Sequence, residues 1–283
     1  MERASSNKMT PFDKVVDEIK NRRYHNHRLE VHSDIVSAGI YQDLLVGCEA
    51  LRKDVETGVI RQWLNVRAPG ARERKIDLFI GQSLESTQEP DLFIGQSLLQ
   101  STQEPDIKKL RICVENKSVI TAHRNRDARF DDLNEALQVV YAAKSEAVIV
   151  ATILVGVATK VLNIPDQVKK LYKGRHDEFK RTILPRLSSG DQTLWNDFSW
   201  AVSVNKPNDP AETVRKLRML PTRRPGHTHI CAYDYVLIVP VLIDNVNPPE
   251  LAIHNELGIE VREEYWKMIS TMCKAYTARW HLE

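Results

Sequence analysis

A single apolar run near the middle of the chain constrains the fold more than any other feature. Residues 147–159 contain no charged side chain and are rich in valine and isoleucine. The run is shorter than the roughly 20 residues that a membrane-spanning helix needs, and its composition is typical of a strand buried on both faces. Because the N-terminal region is polar, with no signal-like apolar core, we expect a soluble cytoplasmic protein with no membrane partner.

Composition favours a folded domain over a disordered or strongly basic chain. The 283 residues are 42% hydrophobic and 28% charged, and the net charge is +2. That charge is too small for a histone-like binder, so any contact with nucleic acid must come from local basic patches. The four cysteines form no CxxC pair, and we predict idle thiols in a reducing compartment rather than a zinc site or a disulfide framework.

Local patterns predict the order helix, three strands, helix, strand in the first half of the chain. These elements are a helix over residues 34–53, strands over 59–67, 75–80 and 109–115, a helix over 127–143 and a strand over 148–157. In the second half of the chain, the same patterns predict short helices over 166–173 and 177–184, a helix from Asp209, a strand over 233–243 broken by Pro240, and a closing helix over 259–280. No linker divides the chain, so we predict one mixed α/β domain, residues 1–283, with a central mixed sheet flanked by helices.

A tandem duplication lies between the second and third predicted strands. Residues 77–90 read DLFIGQSLESTQEP and residues 91–105 read DLFIGQSLLQSTQEP. Two copies cannot occupy the same strand position, so we expect one of them to be extruded as a surface loop.

The segment over residues 111–117, RICVENK, carries the most informative chemistry. Side chains alternate between the faces of a strand, so Cys113, Glu115 and Lys117 share one face. Asp77 interrupts the apolar pattern of the preceding predicted strand. If the two strands pair as a hairpin, Asp77 and Glu115 can converge on one divalent cation.

Two carboxylates and one ammonium group suffice for phosphodiester hydrolysis. Mg²⁺ prefers oxygen ligands, usually one or two carboxylates with water and phosphate oxygens. The metal lowers the pKa of a bound water and neutralises developing charge, and a nearby lysine can orient that water.

In these residues the chain resembles the PD-(D/E)xK nuclease superfamily, which includes most type II restriction endonucleases. Glu115-Asn116-Lys117 matches the ExK element and Asp77 the upstream acid, and the element order over residues 34–157 is similar to the common core of that family. The resemblance implies a restriction-endonuclease-like nuclease domain with Asp77, Glu115 and Lys117 as catalytic residues. It also implies that Asp77 and Glu115 bind Mg²⁺ and that the C-terminal half completes the sheet and adds helices.

The upstream acid has two candidates. Asp77 precedes Glu115 by 38 residues, or by 23 without the 15-residue second copy, whereas Asp91 precedes Glu115 by 24. We favour Asp77 because residues 72–76 give its strand an upstream half, and Asp91 remains the alternative. In the family an acid from the preceding helix often joins the metal site. Glu49 is the candidate here and Asp43 its competitor, and either is alternatively a solvated helix residue.

Two basic clusters are candidate DNA contacts. The first follows the ExK element and contains Thr121, His123, Arg124, Arg126 and Arg129. It is either a clamp on phosphate beside a helix N-terminus or a basic loop that forms salt bridges with nearby aspartates. The second basic cluster contains Arg215, Arg218 and Arg223, together with Lys216 and Arg224. This cluster is either a DNA contact or a charged helix face.

The resemblance implies a Mg²⁺-dependent, site-specific DNA endonuclease that attacks in line and leaves a 3′-hydroxyl and a 5′-phosphate. Restriction enzymes of this family form dimers that match palindromic sites, so a homodimer on double-stranded DNA is expected. A methyltransferase acting on the same site is the partner expected for such an enzyme. Two alternatives stay open: a non-catalytic DNA-binding protein on the same fold, and a repair or defence nuclease with another nucleic-acid substrate.

Overall fold

The chain folds around a mixed β-sheet with helices packed on it. The computed structural model describes residues 8–22, 30–67, 75–84, 104–120, 123–197, 200–223, 230–252 and 257–282. Its strands are β1 (Arg61–Arg67), β2 (Lys75–Ser83), β3 (Pro105–Val119), β4 (Val148–Gly156), β5 (Lys160–Asn163), β6 (Ala201–Val204), β7 (Tyr235–Leu242) and β8 (Glu250–Leu251). Its helices are α1 (Pro11–Arg22), α2 (Glu30–Gly47), α3 (Glu49–Glu56), α4 (Arg126–Ala143), α5 (Asp166–Leu171), α6 (His176–Thr182), α7 (Leu184–Ser188), α8 (Gln192–Asp197), α9 (Asp209–Leu217) and α10 (Val261–Trp280), with a 3-10 turn at His123–Asn125.

The central sheet has six strands in the order β1-β2-β3-β4-β7-β8. β1, β2 and β3 are antiparallel neighbours, whereas β3, β4 and β7 run parallel. β8 pairs antiparallel with the end of β7. All nine residues of β4 are buried, because this strand lies in the middle of the sheet with helices over both faces. The prediction of a mixed α/β protein with a central mixed sheet is confirmed.

Helices cover the sheet from opposite sides. α2, α3 and α10 pack on one another, and α10 also packs on β7. α4 packs on β3 and β4, and α9 packs on α4 and β4. None of the helices in the described ranges is both long and apolar enough to cross a membrane.

Among the differences between the predicted and the observed elements, two have a clear physical reason. The helix predicted over residues 34–53 is divided, because Cys48 adopts an extended conformation (φ −125°, ψ 97°) between α2 and α3. Pro240 was predicted to break its strand, but it lies inside β7 opposite Val155 of β4. The carbonyl of Pro240 accepts a hydrogen bond from Ala252 N on the outer side of β7. Its ring nitrogen points to that same side, so the missing N–H leaves the pairing with β4 intact.

The expectation of four idle thiols is wrong for two of the cysteines. Cys48 and Cys273 form a disulfide, with Cα atoms 5.3 Å apart and 225 residues between them in sequence. The bond joins the break between α2 and α3 to α10. Cys113 and Cys231 are free.

Residues 160–204, called the β5–β6 insertion below, form a smaller unit. β5 and β6 pair as a separate two-stranded antiparallel sheet, and the short helices α5 to α8 lie between them in sequence. This unit has a hydrophobic cluster of its own, made of Leu162, Ile164, Val168, Phe179, Ile183, Leu184, Leu187, Leu194 and Trp200.

Candidate active site

The β2–β3 hairpin brings the predicted acids to one face of the sheet. Phe79 pairs with Cys113 and Leu78 with Val114, so one residue further along each strand Asp77 and Glu115 point to the same face. The backbone N–H of Asn116 donates to Asp77 Oδ2 at 2.7 Å. This hydrogen bond holds the Asp77 carboxylate against the strand that carries Glu115.

Lys117 lies beside the two carboxylates. Its Nζ donates to Glu115 Oε2 at 3.1 Å, and the Glu115 side chain is only 5% exposed. Burial tends to lower the pKa of Lys117, but the charges of Glu115 and Asp77 outweigh burial and raise this pKa above its usual value. Lys117 is therefore an ammonium group at neutral pH.

Burial acts in the opposite sense on Asp77. Desolvation raises the pKa of this carboxyl above its usual value, even though Lys117, the Asn116 N–H and the Ser33 side chain favour its charged form. The negative charge of Asp34 on α2 raises the pKa further. Asp77 is thus a carboxylate in a place where added negative charge is unfavourable and a cation would be stabilised.

Cys113 lies deeper on the same face. Its thiol is fully buried, and burial together with the charges of Glu115 and Asp77 raises its pKa well above the usual value. The thiol is therefore neutral and forms part of the core beneath the carboxylates. Electrostatic coupling among Cys113, Glu115 and Lys117 agrees with the alternation inferred from the sequence.

Asn116 lies between Glu115 and Lys117 in sequence, and its side chain forms hydrogen bonds on the opposite face of β3. Its Nδ2 donates to Ser33 Oγ at 3.0 Å and to Ser37 Oγ at 2.8 Å. Its Oδ1 accepts from Thr152 Oγ1 at 2.6 Å. The side chain therefore ties β3 to α2 and to β4, a role that the ExK pattern does not reveal because its middle residue is unspecified.

The acid nearest Asp77 from the preceding helix is Asp34 rather than Glu49. Asp34 Oδ1 accepts a hydrogen bond from Asn65 Nδ2 at 2.7 Å, and its charge acts on Asp77. Glu49 is exposed at the start of α3, beyond the far end of α2, which rises about 20 Å from Asp34 to Gly47. Glu49 therefore does not join the pair.

Asp43, the competitor to Glu49, is engaged elsewhere. Its Oδ2 accepts a hydrogen bond from Tyr265 OH at 2.6 Å, and its Oδ1 pairs with Lys8 Nζ at 3.3 Å. Asp43 therefore links α2 to α10 instead of facing the hairpin.

α4 contributes a further acid to the surroundings of Lys117. Asp132 is close enough for its charge to raise the pKa of Lys117. It also accepts a hydrogen bond from Arg129 Nη1 at 2.8 Å. For Arg129 the structure thus shows the salt bridge with a nearby aspartate that the sequence left open.

His123 is a structural residue, which corrects its prediction as a phosphate contact. It is 1% exposed, and its ring nitrogens lie 2.8 Å from Thr213 Oγ1 and 2.9 Å from Gly156 O. Burial lowers its pKa. Arg126 is partly exposed and pairs with Glu212 of α9 at 2.6 Å.

The second basic cluster is divided in the same way. Arg223 was predicted to contact DNA, but its side chain is 4% exposed and pairs with Asp234 at 3.4 Å. It also donates to Ser145 O at 3.0 Å, so it joins buried segments instead of facing solvent. Arg215 and Arg218 are exposed on and just after α9.

Several predicted residues lie outside the described part of the chain. They are Asp91, Thr121, Arg224 and the side chain of Arg124. Asp77 is therefore the only one of the two upstream acids whose surroundings the described residues show.

Within the described ranges, no group of three or more His, Cys, Asp and Glu side chains is arranged to hold a metal ion. The hairpin supplies two carboxylates, Asp77 and Glu115. No protein-family model, curated protein or solved structure matches the chain.

Proposed function

We propose that the protein is a Mg²⁺-dependent DNA endonuclease of the restriction type. One observation carries this proposal: Asp77, Glu115 and Lys117 share one face of the β2–β3 hairpin, and Lys117 Nζ lies 3.1 Å from Glu115 Oε2. Two carboxylates and an ammonium group on adjacent strands form a set that a stable core does not require. Burying charges is costly, and their assembly is typical of functional sites.

The donor set fits Mg²⁺. Mg²⁺ is usually held by one or two carboxylates, and water and substrate phosphate oxygens complete its octahedron. Asp77 and Glu115 are the residues that would hold the ion. Once bound, it would supply a water of lowered pKa and neutralise negative charge at phosphorus.

The protein groups would divide the remaining work. Lys117 keeps its proton at Nζ, because the neighbouring carboxylates raise its pKa, and it can orient the attacking water and stabilise charge on the phosphate. The Asn116 N–H holds Asp77 in place through its 2.7 Å hydrogen bond. In-line attack by water would break the bond from phosphorus to the 3′ oxygen, leaving a 3′-hydroxyl and a 5′-phosphate.

We also propose that the sheet and its helices form a restriction-endonuclease-like core. α2 and α3, then β1, β2 and β3, then α4 and β4 follow one another, in the order that resembles the core of the PD-(D/E)xK superfamily. On that resemblance we propose a cytoplasmic homodimer acting on double-stranded DNA, with a methyltransferase for the same site as its partner. The Cys48–Cys273 disulfide would then be one of the rare disulfides of the cytoplasm.

The test is incubation of the purified protein with plasmid and phage DNA in Mg²⁺, in Ca²⁺ and in EDTA, followed by gel electrophoresis. We expect discrete fragments in Mg²⁺ alone. Glu115→Gln and Lys117→Ala should abolish cleavage, whereas Lys108→Ala should cleave like the wild type. Lys108 is a matched control because it is exposed on the same strand, about 30 Å from Lys117 along β3.

Each outcome has a distinct meaning. A smear of fragments in Mg²⁺ would support a nuclease but contradict cleavage at specific sites. Retarded but intact DNA with both Mg²⁺ and Ca²⁺ would replace the enzyme with a DNA-binding protein on the same fold. Full activity in Glu115→Gln would contradict the assignment of the site, and cleavage of RNA or branched DNA alone would change the substrate.

A further inference from the structure

The β5–β6 insertion carries a net positive charge. Its 45 residues contain eight Lys and Arg against five Asp and Glu, a net charge of +3, whereas the whole chain carries +2. The rest of the chain is therefore slightly acidic. Lys170 and Lys173, on and just after α5, and Arg181 on α6 are exposed.

These three cations form no ion pair with the described residues. Among the ion pairs of the described residues, Arg175 binds Glu178 at 3.2 Å and Arg186 binds Asp191 at 2.8 Å. Lys170, Lys173 and Arg181 take part in none of the pairs found there. Within the described part of the insertion, the exposed cations outside these ion pairs are therefore Lys170, Lys173 and Arg181, on and between α5 and α6, together with Lys160 on β5.

The insertion leaves the sheet at the same edge as the candidate active site. β3 and β4 are parallel, and Lys117 pairs with Ile153. β4 ends three residues later, at Gly156, about 10 Å further in the same direction, and β5 begins at Lys160. The insertion therefore starts just beyond the level of Lys117.

The base of the insertion is fixed to the sheet. Asn205 joins its two ends, because its N–H donates to Thr159 O at 2.8 Å and its Nδ2 to Ala158 O at 2.9 Å. Asn245, just after β7, donates from Nδ2 to Leu162 O at 2.8 Å. His123 follows the catalytic strand and contacts Gly156 O at 2.9 Å.

We propose that the β5–β6 insertion is the docking surface for DNA, and that Lys170, Lys173 and Arg181 bind the phosphate backbone beside the cleavage site. This inference rests on the proposed nuclease function and assigns its substrate contact. A surface cation without a partner binds phosphate by releasing counterions from DNA. Because the base is clamped to β4 and β7, contact there fixes the register of the duplex relative to Glu115 and Lys117.

The test compares two triple variants with equal charge loss. The docking variant carries Lys170→Gln, Lys173→Gln and Arg181→Gln. The control carries Lys53→Gln, Lys108→Gln and Lys274→Gln, three exposed lysines that lie toward the other end of β3. Affinity is measured by fluorescence anisotropy with a random-sequence 40-base-pair duplex in Ca²⁺ at several salt concentrations, and circular dichroism verifies folding.

We expect the docking variant to bind between about 10-fold and 100-fold more weakly than the control near 0.1 M salt, and the slope of log affinity against log salt to fall by roughly 2.7. Cleavage at saturating protein should keep the wild-type rate, because the removed groups position DNA without touching the reacting atoms. A docking variant that binds like the control would overturn the inference.

The two proposals fail in different ways. If the wild type cleaves DNA and both triple variants bind equally, the docking surface is wrong and the nuclease stands. If the wild type neither binds nor cleaves DNA, the proposed function fails and the docking surface fails with it.

Discussion

Lys117 supports both the proposed chemistry and the stability of the site, and one substitution separates the two roles. Lys117→Met keeps most of the aliphatic stem and removes the ammonium group. Asp77 and Glu115 then lose their countercharge while staying largely buried. We expect a less stable protein that no longer cleaves DNA.

The magnitude follows from the geometry of the pair. At the 3.1 Å separation of Lys117 Nζ and Glu115 Oε2, two unit charges attract by about 5 kcal/mol at an effective dielectric constant of about 20. Removing one partner of a buried pair costs about 3–5 kcal/mol. Because the Lys117 side chain is 24% exposed, we take the lower end, about 3 kcal/mol, which corresponds to a fall in Tm of roughly 6 °C.

A double-mutant cycle, with unfolding in urea at pH 7, measures the interaction energy between Lys117 and Glu115. Most of the loss comes from the orphaned Glu115 carboxylate, so Glu115→Gln combined with Lys117→Met should be about 2 kcal/mol more stable than the sum of the single changes predicts. Lys108→Met is the matched control and should unfold like the wild type. Additivity within about 0.5 kcal/mol, or a Lys117→Met variant as stable as the wild type, would refute the countercharge role.

The pH dependence provides a second check. Since the folded pKa of Lys117 is raised above 10.5, its contribution is complete below 10.5 and is lost as pH rises through the folded value. In the Lys117→Met variant the loss of unfolding free energy relative to the wild type should instead shrink as pH falls, because Asp77 and Glu115 then take up protons and need no countercharge. All three site variants should lack cleavage, including those that recover stability.

Three further predictions concern residues outside the hairpin. Asp54→Ala should lower the free energy of unfolding by about 3–5 kcal/mol, because Asp54 accepts hydrogen bonds from Arg111 Nη1 at 2.5 Å and His281 Nε2 at 2.8 Å. The pKa of Asp54 is lowered in the folded protein, so in the wild type this stabilisation should disappear as pH falls below about 4. Urea titrations at several pH values would show both effects. Reducing Cys48–Cys273 should lower the free energy of unfolding by about 2–5 kcal/mol, and Cys48→Ser should make the Tm insensitive to dithiothreitol. His123→Ala should cost about 2–3 kcal/mol, and since burial lowers the pKa of His123, the wild type should lose stability below about pH 6.5 in a way that the variant does not.

The sequence predicts the centre of the fold well because its signal there is local. The apolar run became β4, and the alternation of Glu115 and Lys117 on β3 places them with Asp77 as expected. Each of these predictions needs only strand periodicity and the assumption that consecutive strands pair.

Long-range partners explain what the sequence could not reveal. The Cys48–Cys273 bond spans 225 residues, and no local pattern marks it. His123 and Arg223 have the side chains expected of phosphate contacts, yet neither is available to solvent. Whether a basic side chain faces solvent depends on segments that are distant in sequence, such as the one that carries Thr213.

The neck of the β2–β3 hairpin bears on how this gene can change. Ser83 pairs with Pro105, and Leu84 N donates to Glu104 O at 2.9 Å, so β2 and β3 close a neck about 20 Å from Asp77 along β2. Residues 85–103, which lie outside the described ranges, connect its two sides and include most of the second copy of the duplication. Each doubling of the length of such a connection costs only about 0.6 kcal/mol. We therefore expect that replication slippage can lengthen or shorten the chain at this point while Asp77, Glu115 and Lys117 keep their arrangement, which makes the neck a suitable place to insert a reporter peptide.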